Sequence, residues 1–194
     1  MTVASSILGS TRQAVVTRGL AGAVGFALLV AVAAQIRIPL PFTPVPLTLQ
    51  VFGVALAGYV LGARWGMASM SLYLVLGLSG MPVFSGAVGG LSVLSGFTAG
   101  YLLSYPLAVA LIGSLTRGTA SPARRVLAGL GGLAVIHAGG ALWLALAAPQ
   151  APGSVVGLLT WSLLPFLGVD AVKVLAAERF TRRPVGPRAE HRAL

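Results

Sequence analysis

The chain has 194 residues, of which 57% are hydrophobic and only 8% charged, with a formal net charge of +10. Soluble domains carry about 25% charged residues, so this composition points to a membrane protein, and the lack of cysteine removes disulfide frameworks and thiolate metal sites. The basic residues sit at the ends of apolar runs and do not interleave with aromatic side chains, which argues against a nucleic-acid-binding surface.

The chain opens on a polar segment, residues 1–18, with two arginines before the first apolar run. It reads as a cytoplasmic flank and not a cleaved signal peptide, because AGAVGFALLVAVAAQI runs on to spanning length. A helix needs about 20 apolar residues to cross the hydrocarbon core. Spans are expected at 19–36, between Arg18 and Arg37, and at 47–63, ending at Arg64. The uncharged stretch 65–116 has room for two more, near 65–79 and 98–116, and a fifth fits 126–148. Proline is best placed in the first turn of a helix, where its missing N–H costs nothing. Pro165 therefore predicts a last span from about 165 to Arg182, preceded by a short outer helix at 154–162 and followed by a basic tail, 183–194. The result is an all-α membrane domain of six transmembrane helices over 19–182. Both termini are expected in the cytoplasm, because eleven of the thirteen Lys and Arg residues then fall on one side.

Between Val126 and Val169 there is no charged residue, and then PFLGVDAVKVL (165–175) supplies Asp170 and Lys173, the only lysine. A charge at bilayer depth costs about 2.5–3.5 kcal/mol, and residues three apart share a helix face, so the two can partly neutralise each other. Apolar residues stabilise a core at least as well as a buried ion pair does, which favours a ligand-binding role. PLPFTPVPLTLQ (39–50), with four prolines, is expected to be stiff and extended. GMPVFSGAVGGLSVLSGF (80–97) is glycine-rich and apolar. Non-helical backbone at membrane depth is tolerated only against protein or a cavity, so both segments read as lids over a pocket. In the first span Gly19, Ala23, Ala27 and Ala31 recur every four residues, a spacing that permits close helix approach. GLSG (77–80) with His137 resembles the serine–histidine pair of rhomboid proteases, yet Ser79 ends a helix, whereas a nucleophile benefits from a helix N-terminus beside it. No Walker A pattern precedes Lys173, so the chain has no P-loop of its own.

QIRIPLPFTPVPLTLQ, YLVLGLSGMPVFSG, GFTAGYL and PFLGVDAVK together resemble the BioY family, the biotin-specific S components of energy-coupling factor (ECF) transporters. The likeness runs from about Ala21 to Ala177. This chain departs from the family pattern at Phe97-Thr98-Ala99-Gly100-Tyr101, where Pro-Thr-Gly-Gly-Tyr is usual, and has Val169 where a glycine usually precedes the aspartate. The resemblance implies a multi-pass subunit of the cell membrane, with no catalytic activity and no cofactor, that captures biotin from outside. It would work with a membrane coupling subunit and ATP-binding-cassette ATPases. Asp170 would accept from the ureido N–H groups, and Lys173 would meet either the ureido carbonyl or the carboxylate. Tyr101, Thr98, Gln50 and Phe84 are further pocket candidates, and Ala27 and Ala31 are expected to dock the coupling subunit. A proton-coupled secondary transporter using Asp170, and the protease, stand as alternatives.

Overall fold

The computed structural model describes residues 3–147 and 154–182. Helix α1 (Val3–Gln35) leads into an antiparallel hairpin, β1 (Arg37–Leu40) and β2 (Thr43–Thr48). Then come α2 (Gln50–Leu78), a loop with a short 3-10 turn at Leu91–Ser95, α3 (Ala99–Leu115), α4 (Pro122–Ala147), α5 (Val155–Ser162) and α6 (Leu167–Thr181). Among the described residues four helical runs are long and apolar enough to cross a membrane, at Gln13–Gln35, Gln50–Leu78, Pro122–Leu146 and Val155–Thr181, and α3 is a shorter apolar helix. The polar N-terminal segment is helical too. At 33 residues α1 is about 50 Å long, so it overshoots a 30 Å hydrocarbon core.

Helix α2 is not a straight rod. Gly62 has φ 70° and ψ −176°, a conformation open essentially to glycine alone, and the chain reverses there. The amide of Gln50 donates to the Tyr73 hydroxyl at 2.8 Å, whereas 23 residues of straight helix would part them by about 35 Å. The arms 50–61 and 63–78 are thus antiparallel, which fits the separate spans expected at 47–63 and 65–79. Arg64 follows the turn directly.

The final run is also broken. Pro165 has no N–H, and the amide of Phe166 bonds the carbonyl of Leu163 at 3.0 Å instead of continuing the helical ladder to Ser162. Ser154 caps α5 by accepting from the Gly157 amide at 3.1 Å, and α6 starts two residues after the proline. The short outer helix and the last long helix therefore lie where Pro165 predicted them.

The hairpin amends the purely helical expectation. Its register pairs Arg37 with Thr48 and Ile38 with Leu47, then slips beside Pro39 to pair Leu40 with Thr43. A two-stranded ribbon consists of edges only, which is how it accommodates four prolines that cannot donate.

Polarity is segregated along the bundle. Arg64 beside the Gly62 turn, Arg117 after α3, Arg124 and Arg125 at the start of α4, and Arg179 and Arg182 at the end of α6 gather at one end. There Glu178, only 1% exposed, lies 3.3 Å from the Arg125 guanidinium and 3.0 Å from that of Arg182, tying α4 to α6. The hairpin, the 79–98 loop and α5 form the other end. Between α3 and α4, Gly100 lies so close to the Gly139 carbonyl that no Cβ fits.

The small-residue face of α1 packs against the bundle. Ala27 is 1% exposed and belongs to the core, Ala23 is buried, and Ala31 is half-buried against the same cluster. Gly19 faces Trp65 of α2, while the opposite face carries exposed Leu20, Leu28 and Val32. Small residues at this spacing bring α1 close to its own bundle, and the expected docking face at Ala27 and Ala31 is turned inward in the isolated chain.

Candidate substrate site

Beneath the hairpin and the 79–98 loop lies a cavity of about 270 Å³. Its apolar walls are Val45 from the hairpin, Phe84 and Phe97 from the loop, Ile136 from α4, and Phe166. Its polar groups are few and convergent. Gln50, Thr98, Tyr101, His137 and Asp170 line it, with Arg37, an exposed residue of the hairpin, at its edge. Concave apolar space with a small set of placed polar groups is the general form of a small-molecule site.

Asp170 stands in the first turn of α6, where the helix N-terminus favours a carboxylate, and it is 4% exposed. Its Oδ1 is 2.6 Å from Lys173 Nζ, one turn further on. Lys173 is not among the lining residues. Its ammonium also donates to the Thr48 carbonyl at 2.6 Å, so two of its three protons are used within the protein, and it fastens the end of the hairpin to α6.

Asp170 Oδ2 lies 3.3 Å from His137 Nε2, close enough for a charged contact but without hydrogen-bond alignment. His137 comes from α4 and is 4% exposed. Its Nδ1 is 3.1 Å from the Ser162 carbonyl, which also accepts from the Tyr101 hydroxyl at 2.8 Å. This double use follows from the break at Pro165, which leaves the Ser162 carbonyl without its helical partner. In the sequence His137 stands out only as the possible partner of Ser79, not as a neighbour of Asp170. An imidazole is not counted as a charge, although it is the one titratable side chain in the otherwise uncharged stretch 126–169.

The lids are fastened by buried polar side chains. The Thr48 hydroxyl donates to Gln50 Oε1 at 2.9 Å, Gln50 Nε2 donates to Tyr73, and the Tyr73 hydroxyl donates to the Val83 carbonyl at 3.2 Å. Gln35, at the end of α1, donates to the Phe84 carbonyl at 3.1 Å and accepts from the Ala87 amide at 3.0 Å. Phe84 packs edge-on to Tyr73 with ring centroids 5.3 Å apart. The structure thus brings Asp170, Tyr101, Thr98, Gln50 and Phe84 to one cavity and sets Lys173 directly behind Asp170. Gln35, Arg37, Tyr73, His137 and Ser162 are the additions.

The serine–histidine pair of a protease is not formed. The Ser79 hydroxyl donates to the Leu76 carbonyl at 2.8 Å on an exposed helix end, while His137 engages Ser162.

Comparison with known proteins bears on the family and the fold. A crystal structure of the S-component for biotin from an ECF-type ABC transporter matches with a TM-score of 0.78 at 25% identity, over 94% of this chain and 93% of that one. The probable biotin transporter BioY of Pyrococcus horikoshii is 42% identical over 79% of this chain and 90% of its own. The biotin transporter BioY of Thermotoga maritima is 38% identical over 78% and 86%, respectively. The BioY family model matches residues 4–185, nearly all of the helical domain. A multi-pass helical membrane protein whose polar cavity residues are carried on this framework thus belongs to the BioY family.

Proposed function

We propose that the chain binds biotin as the membrane-embedded S component of an ECF-type uptake system. The observation that carries this reading is Asp170, a carboxylate buried in a cavity lined by aromatic and aliphatic side chains together with Gln50, Thr98, Tyr101 and His137. One of its oxygens is neutralised by Lys173 and the other is left without an aligned partner. Biotin offers a ureido ring with two N–H donors, an apolar sulfur ring and tail, and a terminal carboxylate. Asp170 Oδ2 accepts from the ureido group, and Phe84, Phe97 and Phe166 cover the apolar rings. Lys173 holds Asp170 aimed. Arg37 meets the carboxylate at the rim, since Lys173 is already spent on Asp170 and Thr48. Thr98, Tyr101 and Gln50 position the walls and lids around the ring system.

In this reading the chain crosses the membrane six times, with each arm of α2 counted as one crossing. The arginine-rich end faces the cytoplasm together with both termini, and the cavity opens outward. Energy comes from a membrane coupling subunit and ATP-binding-cassette ATPases. Calorimetric titration of the purified chain with biotin tests the proposal. Saturable submicromolar binding is expected, and no binding by a folded protein would end it.

The contact of Asp170 with His137 favours one second reading, a carrier that couples a small molecule to protons. Chain reconstituted alone in vesicles would then accumulate substrate under an imposed pH gradient.

A further inference from the structure

We infer that His137 is a specificity-determining acceptor for the ligand, sharing one of its N–H groups with Asp170. The inference deepens the biotin reading and rests on it. Ser162 presents only a carbonyl oxygen to Nδ1, at 3.1 Å, so Nδ1 carries a proton, and in the tautomer this selects the lone pair is on Nε2. That lone pair lies 3.3 Å from Asp170 Oδ2, and both side chains are almost wholly buried. Nε2 has no aligned hydrogen-bond partner in the protein. Two acceptors this close in a dry site repel each other unless a proton lies between them.

The surroundings leave little else to supply it. Lys173 is bound to Asp170 Oδ1 and Thr48. Tyr101 meets the imidazole edge-on and spends its hydroxyl on Ser162, and Phe166 stacks on the ring. Behind His137 lies a second crevice, of about 430 Å³, lined apart from the histidine itself by leucine and alanine. The titratable and charged groups facing His137 are therefore Asp170 and Lys173 from α6, Tyr101 and Tyr105 from α3, and Arg37 across the cavity. The segment 162–166 contributes none.

A ligand N–H directed at this gap satisfies both acceptors at once. A ring lacking an N–H there is rejected.

The test titrates biotin, and biotin methylated at either ureido nitrogen, into the detergent-solubilised full chain, with thermal melts alongside. Variants are His137→Phe, which keeps the aromatic packing, and His137→Gln, which keeps an acceptor. For His137→Phe we expect biotin affinity to fall about tenfold to a hundredfold. Methylation of one nitrogen should cost the wild type as much, yet cost this variant little more. For His137→Gln most affinity should return. A folded His137→Phe chain that binds like wild type, or losses that simply add for both methylated ligands, would overturn the assignment. Should His137→Phe fail to fold, His137→Gln decides: near-wild-type affinity with the penalty for one methylated nitrogen retained supports the role, and equal penalties at both nitrogens refute it. Failure of the wild type to bind biotin at all would instead remove the underlying reading.

Discussion

The ammonium of Lys173 lies 2.6 Å from the carbonyl of Thr48, so the residue that neutralises the buried carboxylate also anchors the hairpin above it. Loss of either partner of a buried pair leaves an uncompensated charge and costs about 3–5 kcal/mol. Lys173→Met should therefore lower the melting temperature sharply and loosen the hairpin as well. The double variant Asp170→Asn, Lys173→Met should recover most of the stability but not biotin binding, since the ureido donors would lack their carboxylate. Melts and titrations on both singles and the double check this. A stable double variant with wild-type affinity would show that the pair serves packing alone.

Gly62 isolates a backbone effect. A Cβ at this position meets no atom within 4 Å, so Gly62→Ala adds no clash. Its φ of 70° and ψ of −176° nonetheless place it where only glycine is comfortable, a strain of about 1–3 kcal/mol for alanine. The expected result is a lower melting temperature with biotin affinity retained in the folded fraction. An unchanged melt would mean that the turn adopts another conformation.

The arginine-rich end carries a topology prediction. Reporters fused to the N- and C-termini should both signal from the cytoplasm, and one placed in the 85–90 segment should signal from outside. An external signal from either terminus would contradict six crossings.

Ala27 is expected to behave as a core residue. Enlarging a well-packed site costs about 1–3 kcal/mol, so Ala27→Leu should lower stability and biotin binding together, while half-buried Ala31→Leu is milder. A double variant that is stable and binds biotin, yet fails to assemble with a coupling subunit, would return this face to docking.

What could be read in the sequence follows from how each residue type signals. Asp170 and Lys173 stood out because charge is costly in lipid, and Pro165 marked a helix boundary because it lacks a donor. Arg64 located the reversal at Gly62 to within two residues, since a charge favours the bundle's end. The other features depend on partners distant in sequence. Ala27 and Ala31 advertise a close approach without naming the neighbour, and the neighbour proved to be the chain's own α2. Four prolines concealed the strand pairing of Arg37–Thr48, because they suit an extended segment whether or not it pairs. His137 gains its interest only once Ser162, freed by the Pro165 break, fixes which nitrogen faces Asp170.

Thr48 belongs to one lid and Val83 to the other, yet a single relay through Gln50 and Tyr73 connects them. Movement of either lid strains the same carboxamide, so the two covers are mechanically geared. The cavity accordingly has one latch with two leaves.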